Sequence, residues 1–403
     1  KKKTMKTVTQ IVTSYNHTVA LTKEGTIYSW GGNSSGQCGL GNIKKKKIKK
    51  PTIIKQIKDQ LRKEETIIQV ENGKIYTLAL TNEGTIYGWG ENSSGECGLG
   101  ATIKKKIKQP TKVSDIENQL RDNEKITQIV AGDSFSFALT NKGAVFCWGL
   151  NNEGQCGVGT RQDLKIWKPT KMSDFNELLS ETEFITNIST GGSHAIALTN
   201  KGTLFSWGSN FYGQCGTTTQ KTLRRPTKIK YVEENLSDTE IIIQIEAGMF
   251  FSLALTNKGN LYSWGDNLFG QCGLGIIEES KLIEPRKLNF DKELSDSETI
   301  THIAVGSFHS LALTSHNKVY SWGSNCEGQC GLSFNEKKIM NPTKISYFDD
   351  EPLALLVAGG SLSIALTNNG TVYTWGLNDD GQCGLKIIEE EIIMKPTKIS
   401  FIS

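Results

Sequence analysis

Residues 126–157 read ITQIVAGDSFSFALTNKGAVFCWGLNNEGQCG. The stretch contains three short runs rich in β-branched and aromatic residues, which are Ile126 to Val130, Phe135 to Thr140 and Ala144 to Trp148. Runs of this length and composition favour β-strands. The stretch therefore predicts three short strands, close enough in sequence to pair in antiparallel order.

Glycine-rich turns separate these strands. Asn141-Lys-Gly143 places a glycine where a tight turn requires a positive φ. The glycine-rich segment 149–159 predicts a longer turn, and Pro169 to Met172 is predicted as a fourth strand, because proline is tolerated at the first residue of a strand or at a sheet edge. Four short antiparallel strands joined by such turns are typical of one propeller blade.

The same pattern recurs seven times along the 403 residues. An Ala-Leu-Thr segment, a Trp-Gly pair and a Gly-(Gln/Glu)-Cys-Gly segment follow one another in phase in each unit. The tryptophans are spaced by 59, 59, 59, 57, 58 and 53 residues, and they are Trp30, Trp89, Trp148, Trp207, Trp264, Trp322 and Trp375. Chance does not place three motifs in phase seven times, so the chain is a repeat protein.

We predict an all-β fold, a seven-bladed β-propeller with four antiparallel strands per blade. One domain then spans residues 1–403, in approximate units 8–66, 67–125, 126–184, 185–241, 242–299, 300–353 and 354–403. A lone blade has two apolar faces, whereas in a closed ring each blade covers its neighbour. The tryptophans are expected to supply this packing between blades.

Composition favours a monomeric intracellular protein, although it does not distinguish cytoplasm from nucleus. The longest apolar run, Leu353 to Ala358, is far shorter than the ~20 residues that span a bilayer. Nine cysteines without an apolar leader are more typical of a reducing compartment than of a disulfide framework. We therefore predict no membrane span.

The motifs Gly-x-x-(His/Phe)-(Ser/Thr)-x-Ala-Leu-Thr, Gly-x-(Val/Ile/Leu)-(Tyr/Phe)-x-Trp-Gly and Gly-Gln-Cys-Gly resemble the repeat of the regulator of chromosome condensation family over residues 8–399. The resemblance implies the same propeller. Members of that family include the exchange factor for the small GTPase Ran, a plant ultraviolet photoreceptor, adaptor modules of ubiquitin ligases and a bacterial β-lactamase inhibitor. The fold alone therefore does not fix the function. The main departure from the family is cysteine where leucine is usual.

The repeat cysteines predict structural positions rather than a metal site. They lie at equivalent places on seven blades and so do not converge as the thiolates of one metal centre must. We expect each to be a small buried apolar residue, and we predict no metal and no cofactor. They are Cys38, Cys97, Cys156, Cys215, Cys272, Cys330 and Cys383.

His17, His194 and His309 occupy one slot of the repeat. Other units fill this slot with tyrosine, phenylalanine or leucine, which indicates packing; partner binding is the alternative role for the three histidines. Asp133 matches the acidic position with which, by the resemblance, the Ran exchange factor engages its GTPase. The next unit has Gly192 there instead of an acid.

Lysines are concentrated at one end of the sequence. Residues 1–112 contain 21 Lys and Arg against 8 Asp and Glu, a balance of +13, and the remaining residues contain 25 against 34, a balance of −9. Two lysine-rich runs lie in the same loop of units 1 and 2, so we expect them to form one basic sector: Lys44, Lys45, Lys46, Lys47, Lys49, Lys50, Lys104, Lys105, Lys106 and Lys108. This sector is either a solvated surface or a binding site for an acidic protein or nucleic acid.

These patterns favour a non-enzymatic scaffold that binds protein partners through loops on the propeller faces. The alternatives are a guanine-nucleotide exchange factor for a Ran-like small GTPase, and association with chromatin or nucleic acid through the basic sector. No unit is long enough to contain the insertion that the Ran exchange factor wedges into its GTPase. A photoreceptor of this family needs extra tryptophans clustered on one face. Here Trp167 alone lies outside the blade positions, so the sequence does not favour a photoreceptor.

Overall fold

The computed structural model of the protein describes residues 7–101, 104–160, 162–217, 220–275, 280–290, 294–295, 297–332, 336–348, 351–385 and 390–399. In these ranges 28 strands form seven antiparallel sheets, each made of four consecutive strands. The predicted seven-bladed β-propeller is confirmed.

The first four blades follow the chain in order. Blade 1 consists of β1 (Val8–Thr13), β2 (His17–Thr22), β3 (Ile27–Gly32) and β4 (Lys47–Ile53). Blade 2 consists of β5 (Ile67–Asn72), β6 (Tyr76–Thr81), β7 (Ile86–Glu91) and β8 (Lys106–Lys112). Blade 3 consists of β9 (Ile126–Ala131), β10 (Phe135–Thr140), β11 (Val145–Leu150) and β12 (Lys165–Lys171). Blade 4 consists of β13 (Ile185–Thr190), β14 (His194–Thr199), β15 (Leu204–Ser209) and β16 (Thr222–Lys228).

The remaining blades repeat this arrangement. Blade 5 consists of β17 (Ile242–Ala247), β18 (Phe251–Thr256), β19 (Leu261–Asp266) and β20 (Lys281–Lys287). Blade 6 consists of β21 (Ile300–Val305), β22 (His309–Thr314), β23 (Val319–Ser324) and β24 (Lys338–Ile345). Blade 7 consists of β25 (Leu353–Gly359), β26 (Leu362–Thr367), β27 (Val372–Leu377) and β28 (Ile392–Lys398).

In the described ranges, helical structure lies only in the connections between blades. Two short α-helices, α1 (Phe175–Leu178) and α2 (Lys230–Asn235), follow blades 3 and 4. Single 3-10 turns lie at Lys58–Gln60, Glu117–Gln119 and Ser346–Phe348. None of the helices in the described ranges has the length and apolar character needed to cross a bilayer.

The four strands of a blade differ in burial because they lie at different distances from the ring axis. The first strand lines a central channel, the second strand is buried throughout in every blade, and the fourth strand is the outer edge. The inner strands are covered on both faces, so their sequences are mostly apolar. The outer strand instead alternates lysine with isoleucine and proline.

The fourth strand is longer than the sequence predicted. In blade 3 it begins at Lys165, so the prediction that it starts at Pro169 is wrong. Thr170 pairs with Cys147 and Ile166 pairs with Gly149, so the three residues between Ile166 and Thr170 face Trp148 alone. The proline lies in this bulge of an edge strand, where the absence of its N–H breaks no ladder hydrogen bond.

Each blade is hydrogen-bonded to the preceding one through the repeat tryptophan. The seven indoles are fully buried, and every Nε1 donates to the main-chain carbonyl of the Gln or Glu in the Gly-(Gln/Glu)-Cys-Gly segment of the preceding blade, at 2.8–2.9 Å. The bond from Trp30 to Gln382 joins blade 1 to blade 7 and closes the ring. The tryptophans therefore both pack and hydrogen-bond between blades.

The Trp-Gly pair needs its glycine for two reasons. Gly149 has φ +104°, and a Cβ built there would lie 2.5 Å from the Ser134 carbonyl oxygen. The glycine of each of the other six pairs also has a positive φ. A side chain at this position would be strained by φ and would also collide with the turn between the first two strands.

Candidate interaction face

Two sets of loops lie at the same end of every blade. Because the four strands are antiparallel, the turn between strands 1 and 2 and the long loop between strands 3 and 4 emerge on one face of the ring. We call this the loop face. Asp133 lies in the first kind of turn, and the lysine-rich runs lie in the second kind of loop and the fourth strand that follows it.

In every blade, a turn stabilised by hydrogen bonds between its own residues lies on the loop face. In blade 1 the Asn33 Oδ1 accepts from the Cys38 N–H at 3.2 Å, and the Gln37 Oε1 accepts from the Ser35 N–H at 2.9 Å. The same asparagine-to-cysteine bond recurs in the other six blades at 2.9–3.1 Å. The turn Asn-x-x-Gly-(Gln/Glu)-Cys-Gly therefore has one backbone conformation around the ring.

The two x positions of this turn differ from blade to blade. They are Ser34 and Ser35, Ser93 and Ser94, Asn152 and Glu153, Phe211 and Tyr212, Leu268 and Phe269, Cys326 and Glu327, and Asp379 and Asp380. A fixed turn thus presents polar, acidic or aromatic side chains at fixed places on the loop face. This combination of a rigid scaffold and varied loop residues is suited to binding.

The repeat cysteines are structural. All seven are fully buried, and each Sγ lies within 3.1–3.6 Å of a carbonyl oxygen of its own blade. Burial raises the pKa of these thiols, for Cys38 to about 12. All nine cysteines are free, and Cys326 alone among them is exposed.

The three slot histidines are also fully buried, as expected of a packing slot, so the alternative role in partner binding has no exposed side chain to support it. Each Nε2 is hydrogen-bonded to a Ser or Thr hydroxyl of the next blade at 2.8–3.0 Å, for example His194 to Ser252. Loss of hydration on burial lowers the pKa of His17, His194 and His309 to about 3. A neutral, buried imidazole joins two blades and has no surface to offer a docked protein.

Asp133 lies at the mouth of the central channel on the loop face. The Tyr15 hydroxyl donates to the Asp133 Oδ2 at 3.5 Å, and the Lys74 ammonium lies 4.6 Å from the centre of the Tyr15 ring. The same hydroxyl is 3.3 Å from the Met249 Sδ. Burial raises the pKa of Asp133 to about 6, an effect that Lys74 and the Tyr15 hydrogen bond oppose. Tyr15 thus links blades 1, 3 and 5 across the channel mouth.

The channel behind Tyr15 is polar and contains carboxyl groups. It has a volume of about 310 Å³ and is lined by the first strands of all seven blades. Burial raises the pKa of Glu71 to about 8 and that of Glu246 to about 7, and Glu246 adds to the rise at Glu71 by charge repulsion. Amide groups from Gln69 and Gln244 donate to these two carboxylates at 3.0 Å.

The lysines of the proposed basic sector are all exposed. The backbone N–H of Gly41, beside the first run, donates to the carbonyl of Lys108 at 2.8 Å, so the loop of blade 1 lies against the fourth strand of blade 2. Lys47 forms an ion pair with Asp380 at 3.2 Å, and the Lys106 ammonium donates to the Ser34 carbonyl at 3.3 Å. The two runs are therefore neighbours on the loop face.

Three residues of this face, Tyr15, Lys74 and Met249, were not identified from the sequence. Tyr15, Lys74 and Met249 form the channel mouth with Asp133, yet they belong to three different blades. Each is the second residue of the turn between strands 1 and 2 of its blade, as Asp133 is. An alignment of the seven repeats therefore places these residues at the same position as Asp133. Trp167, the tryptophan outside the blade positions, is half-buried with the Lys165 ammonium 5.5 Å from its ring.

Comparison with known proteins identifies the repeat. A family model described as RCC1-like domain matches residues 56–403, and models of the Regulator of chromosome condensation (RCC1) repeat match residues 8–37 and 24–80. The chain is 29% identical to the ultraviolet-B receptor UVR8 of Arabidopsis thaliana, over 92% of this chain and 77% of the receptor. It is 28% identical to the guanine nucleotide exchange factor SRM1 of Saccharomyces cerevisiae, over 96% of this chain and 84% of that protein.

A solved structure shares the whole architecture. The crystal structure of Prp20p from Saccharomyces cerevisiae, described together with its binding properties to Gsp1p and histones, superposes with a TM-score of 0.79. The two sequences are 28% identical, and the match covers 94% of this chain and 87% of Prp20p.

Proposed function

The chain belongs to the regulator of chromosome condensation (RCC1) family, and from that premise we propose that it is a non-enzymatic intracellular scaffold that binds protein partners through its loop face. The observation that supports this proposal is the Asn-x-x-Gly-(Gln/Glu)-Cys-Gly turn, which has one backbone conformation in all blades and different side chains at its x positions. A closed ring holds these side chains in fixed relative positions, so little conformational entropy is lost when a partner docks.

Affinity capture with a matched pair of variants tests the proposal. The loop-face variant carries Ser-Ser, the residues of blades 1 and 2, at the x positions of blades 3 to 7. The control variant replaces Lys142, Lys201 and Lys258, exposed residues of the turns on the opposite face, with serine. We expect native partners to be captured by the wild type and the control and lost with the loop-face variant. Partners captured equally by all three would exclude the loop face as the binding surface.

A second candidate function is nucleotide exchange on a Ran-like small GTPase. The similarity to the exchange factor SRM1 and to Prp20p, together with the position of Asp133 on the loop face, favours it. The test is release of a fluorescent guanine nucleotide from a panel of loaded small GTPases. Accelerated release that Asp133→Asn reduces at least tenfold supports exchange activity, and unchanged release across the panel rejects it.

A third candidate is association with chromatin or nucleic acid through the basic sector. The exposure and adjacency of its lysines favour it, because each phosphate neutralised releases counterions and gives salt-dependent binding. Reversing Lys44 to Lys47 and Lys104 to Lys106 to glutamate should abolish retention on immobilised duplex DNA. Absence of retention of the wild type at low salt would reject this role.

A further inference from the structure

An exposed group of large apolar side chains spans blades 4, 5 and 6 on the loop face. Three of its members are among the most exposed large apolar residues described, with 48% of Phe211, 42% of Tyr212 and 54% of Leu268 accessible. Three further phenylalanines beside them are half-buried. We call this group the aromatic patch, and its members are Phe211, Tyr212, Phe250, Leu268, Phe269 and Phe308.

Four of the five rings of the patch form a continuous chain of contacts. The Tyr212 and Phe250 centroids are 4.8 Å apart, those of Phe250 and Phe308 are 6.0 Å apart, and those of Phe308 and Phe269 are 5.3 Å apart. The contacts cross two blade boundaries on the surface of the ring. Exposed aromatic rings that touch each other in this way form a single apolar surface, which is costly to leave in water.

The turn between strands 3 and 4 does not require these side chains. The Tyr212 N–H donates to the Gln214 Oε1 at 2.9 Å, and the Ser35 N–H donates to the Gln37 Oε1 at the same distance. The turn thus closes identically with tyrosine and with serine. Blades 1 and 2 carry Ser-Ser at both x positions, where blades 4 and 5 carry Phe-Tyr and Leu-Phe.

The turn between strands 1 and 2 does not require them either. Phe250 and Phe308 each precede the slot residue of their blade, and the corresponding residues of blades 3, 4 and 7 are Ser134, Ser193 and Ser361. Aromatic side chains therefore occupy two separate positions of the repeat, and only in the adjoining blades 4, 5 and 6, whereas blades 1 and 2 have Asn16 and Ile75 at the second of these positions. Folding does not explain this clustering, whereas binding of a partner at one place does.

Lysines give the edges of the patch a positive charge. The Lys221 ammonium lies 5.8 Å from the centre of the Phe211 ring, and the Lys338 ammonium lies 5.2 Å from that of Phe269. Both side chains are exposed. The nearby carboxylate of Asp266 is buried, accepts from the Gln271 Nε2 at 2.7 Å and interacts electrostatically with Lys338, whereas Lys221 lies at the other edge of the patch.

We propose that the aromatic patch binds an acidic segment of a partner protein, in which large apolar side chains stand between carboxylates. The inference rests on the proposed scaffold function and specifies the chemistry of its partner. The apolar side chains cover the exposed rings, and the carboxylates pair with the lysines at the edges. Aromatic anchors with a charged rim are the usual organisation of a protein-binding hot spot.

The ring geometry favours a protein over a single-stranded nucleic acid. Base stacking requires open ring faces, but the protein's own ammonium groups lie over Phe211 and Phe269. The planes of Tyr212 and Phe250 are tilted by 35°, and those of Phe308 are tilted by 55–57° to Phe250 and Phe269. The rings therefore do not present a set of parallel faces between which successive bases can lie.

The probe is a displayed library of random dodecapeptides, selected on the intact immobilised protein. The patch variant F211S/Y212S/L268S/F269S carries the residues of blades 1 and 2 at these positions, and S34A/S35A/S93A/S94A is the matched control in those two blades. We expect enrichment of peptides with Asp or Glu around Leu, Phe or Trp. Fluorescence anisotropy of the synthesised peptides should show affinity at least tenfold weaker for the patch variant and unchanged for the control.

A second variant keeps the test decisive if the first does not fold. Lys221→Glu with Lys338→Glu changes only exposed side chains, and it should weaken the same peptides at least tenfold and reduce the salt dependence of binding. Circular dichroism and urea unfolding verify the fold of each variant. Enriched peptides without acidic residues, or peptides that bind both variants as they bind the wild type, overturn the proposal.

Other occupants give different results. If the wild type binds the single-stranded oligonucleotide (dT)12 and the patch variant does not, the patch is assigned to nucleic acid. If the wild type forms a dimer and the patch variant does not, the patch is assigned to a second copy of this chain. Either result overturns the proposal. If native partners are lost with the full loop-face variant but kept by the patch variant, the proposed scaffold function stands and the inference about the patch fails. If neither variant loses its native partners, both the proposed scaffold function and the inference about the patch are rejected.

Discussion

The buried histidines form polar contacts between blades at a repeat position that apolar residues fill in other units. His194 and His309 each bond a serine of the following blade, whereas Phe135 in the same slot lies one blade before Ala195, which has no hydroxyl to bond. A missing hydroxyl does not by itself select an apolar slot residue, because Phe251 and Leu362 precede blades that carry Ser310 and Thr18 at the corresponding position. The slot forms hydrogen bonds between blades at His17, Tyr76, His194 and His309.

These histidines predict that acid destabilises the protein. Folding lowers the pKa of His194 and His309 from the ordinary 6.5 to about 3, so the unfolded chain binds protons that the folded chain does not. Their stabilising contribution is complete above pH 6.5 and is lost as the pH falls towards 3. At pH 5 each histidine should add about 1.4 kcal/mol per pH unit to the dependence of the unfolding free energy on pH.

The double variant His194→Phe/His309→Phe tests this expectation, because blades 3 and 5 already carry phenylalanine in the slot behind the same glycine. Urea unfolding between pH 4 and pH 7 should show a slope smaller by about 2.7 kcal/mol per pH unit near pH 5. The control Phe251→Leu changes the same slot without removing a titrating group and should keep the wild-type slope. Equal slopes for all three proteins would show that the histidines are hydrated in the folded state.

At the scale of the strand and turn, the sequence predicted what depends on local chemistry. Gly143 has φ +76°, as its tight turn requires, and Phe135–Thr140 forms the predicted second strand residue for residue. The bulge around Pro169 was missed because it depends on the register between two strands, which no local pattern specifies. Pro169 was interpreted as the first residue of the fourth strand because the local sequence does not show this register.

The candidate site was predicted less completely than the fold. Asp133 could be placed on a turn from its glycine neighbours, but its contact Tyr15 is 118 residues away, and Met249 is 234 residues from Tyr15. Contacts over such separations follow from closure of the ring and not from local sequence. Burial of the slot histidines was indicated by the phenylalanine and leucine in other units, and that indication was the correct one.

The contact between blades 3 and 4 differs from the others and gives an internal test of the tryptophan bonds. The Gln214 carbonyl accepts from the Trp264 indole and from the Ser252 hydroxyl, at 2.8 and 2.9 Å. The Gln155 carbonyl accepts from the Trp207 indole at 2.9 Å, and Ala195 stands where the second donor is in blade 5. Loss of the indole N–H thus leaves Gln155, but not Gln214, without a side-chain donor among the described residues.

We predict that Trp207→Phe destabilises the protein by about 1–3 kcal/mol more than Trp264→Phe, because a buried carbonyl loses its side-chain donor. Urea unfolding of the two variants measures the difference. Ala195→Ser supplies the hydroxyl found in blade 5 and should recover part of the loss in the Trp207→Phe background. Equal costs for the two tryptophans, with no recovery, would show that packing of the indole ring and not its hydrogen bond stabilises the contact.

At the scale of the whole molecule, ring closure depends on side chains. In the described part of the chain, blades 1 and 7 are each built from their own four consecutive strands, so no strand is shared across the closure. The Gln382 carbonyl of blade 7 accepts from the Trp30 indole and the Thr18 hydroxyl of blade 1, at 2.8 and 2.9 Å. The Gln37 carbonyl accepts the same two bonds from blade 2. The closing contact thus shares these two bonds with an interior one, but the contact between blades 1 and 2 also has the Gly41–Lys108 backbone bond, the His17–Thr77 bond and a connecting peptide chain.

Two double variants compare the closure with a contact between blades that the chain connects. Trp30→Phe/Thr18→Val removes both bonds at the closure, and Trp89→Phe/Thr77→Val removes both between blades 1 and 2, which residues 54–66 still connect. In repeat architectures stability depends on contacts between neighbours, so blades freed at an unconnected contact open locally. We expect hydrogen exchange to accelerate at least tenfold in the strands of blades 1 and 7 for the closure variant, and not for the interior variant. The same exchange pattern in both would mean that the ring opens only by unfolding as a whole.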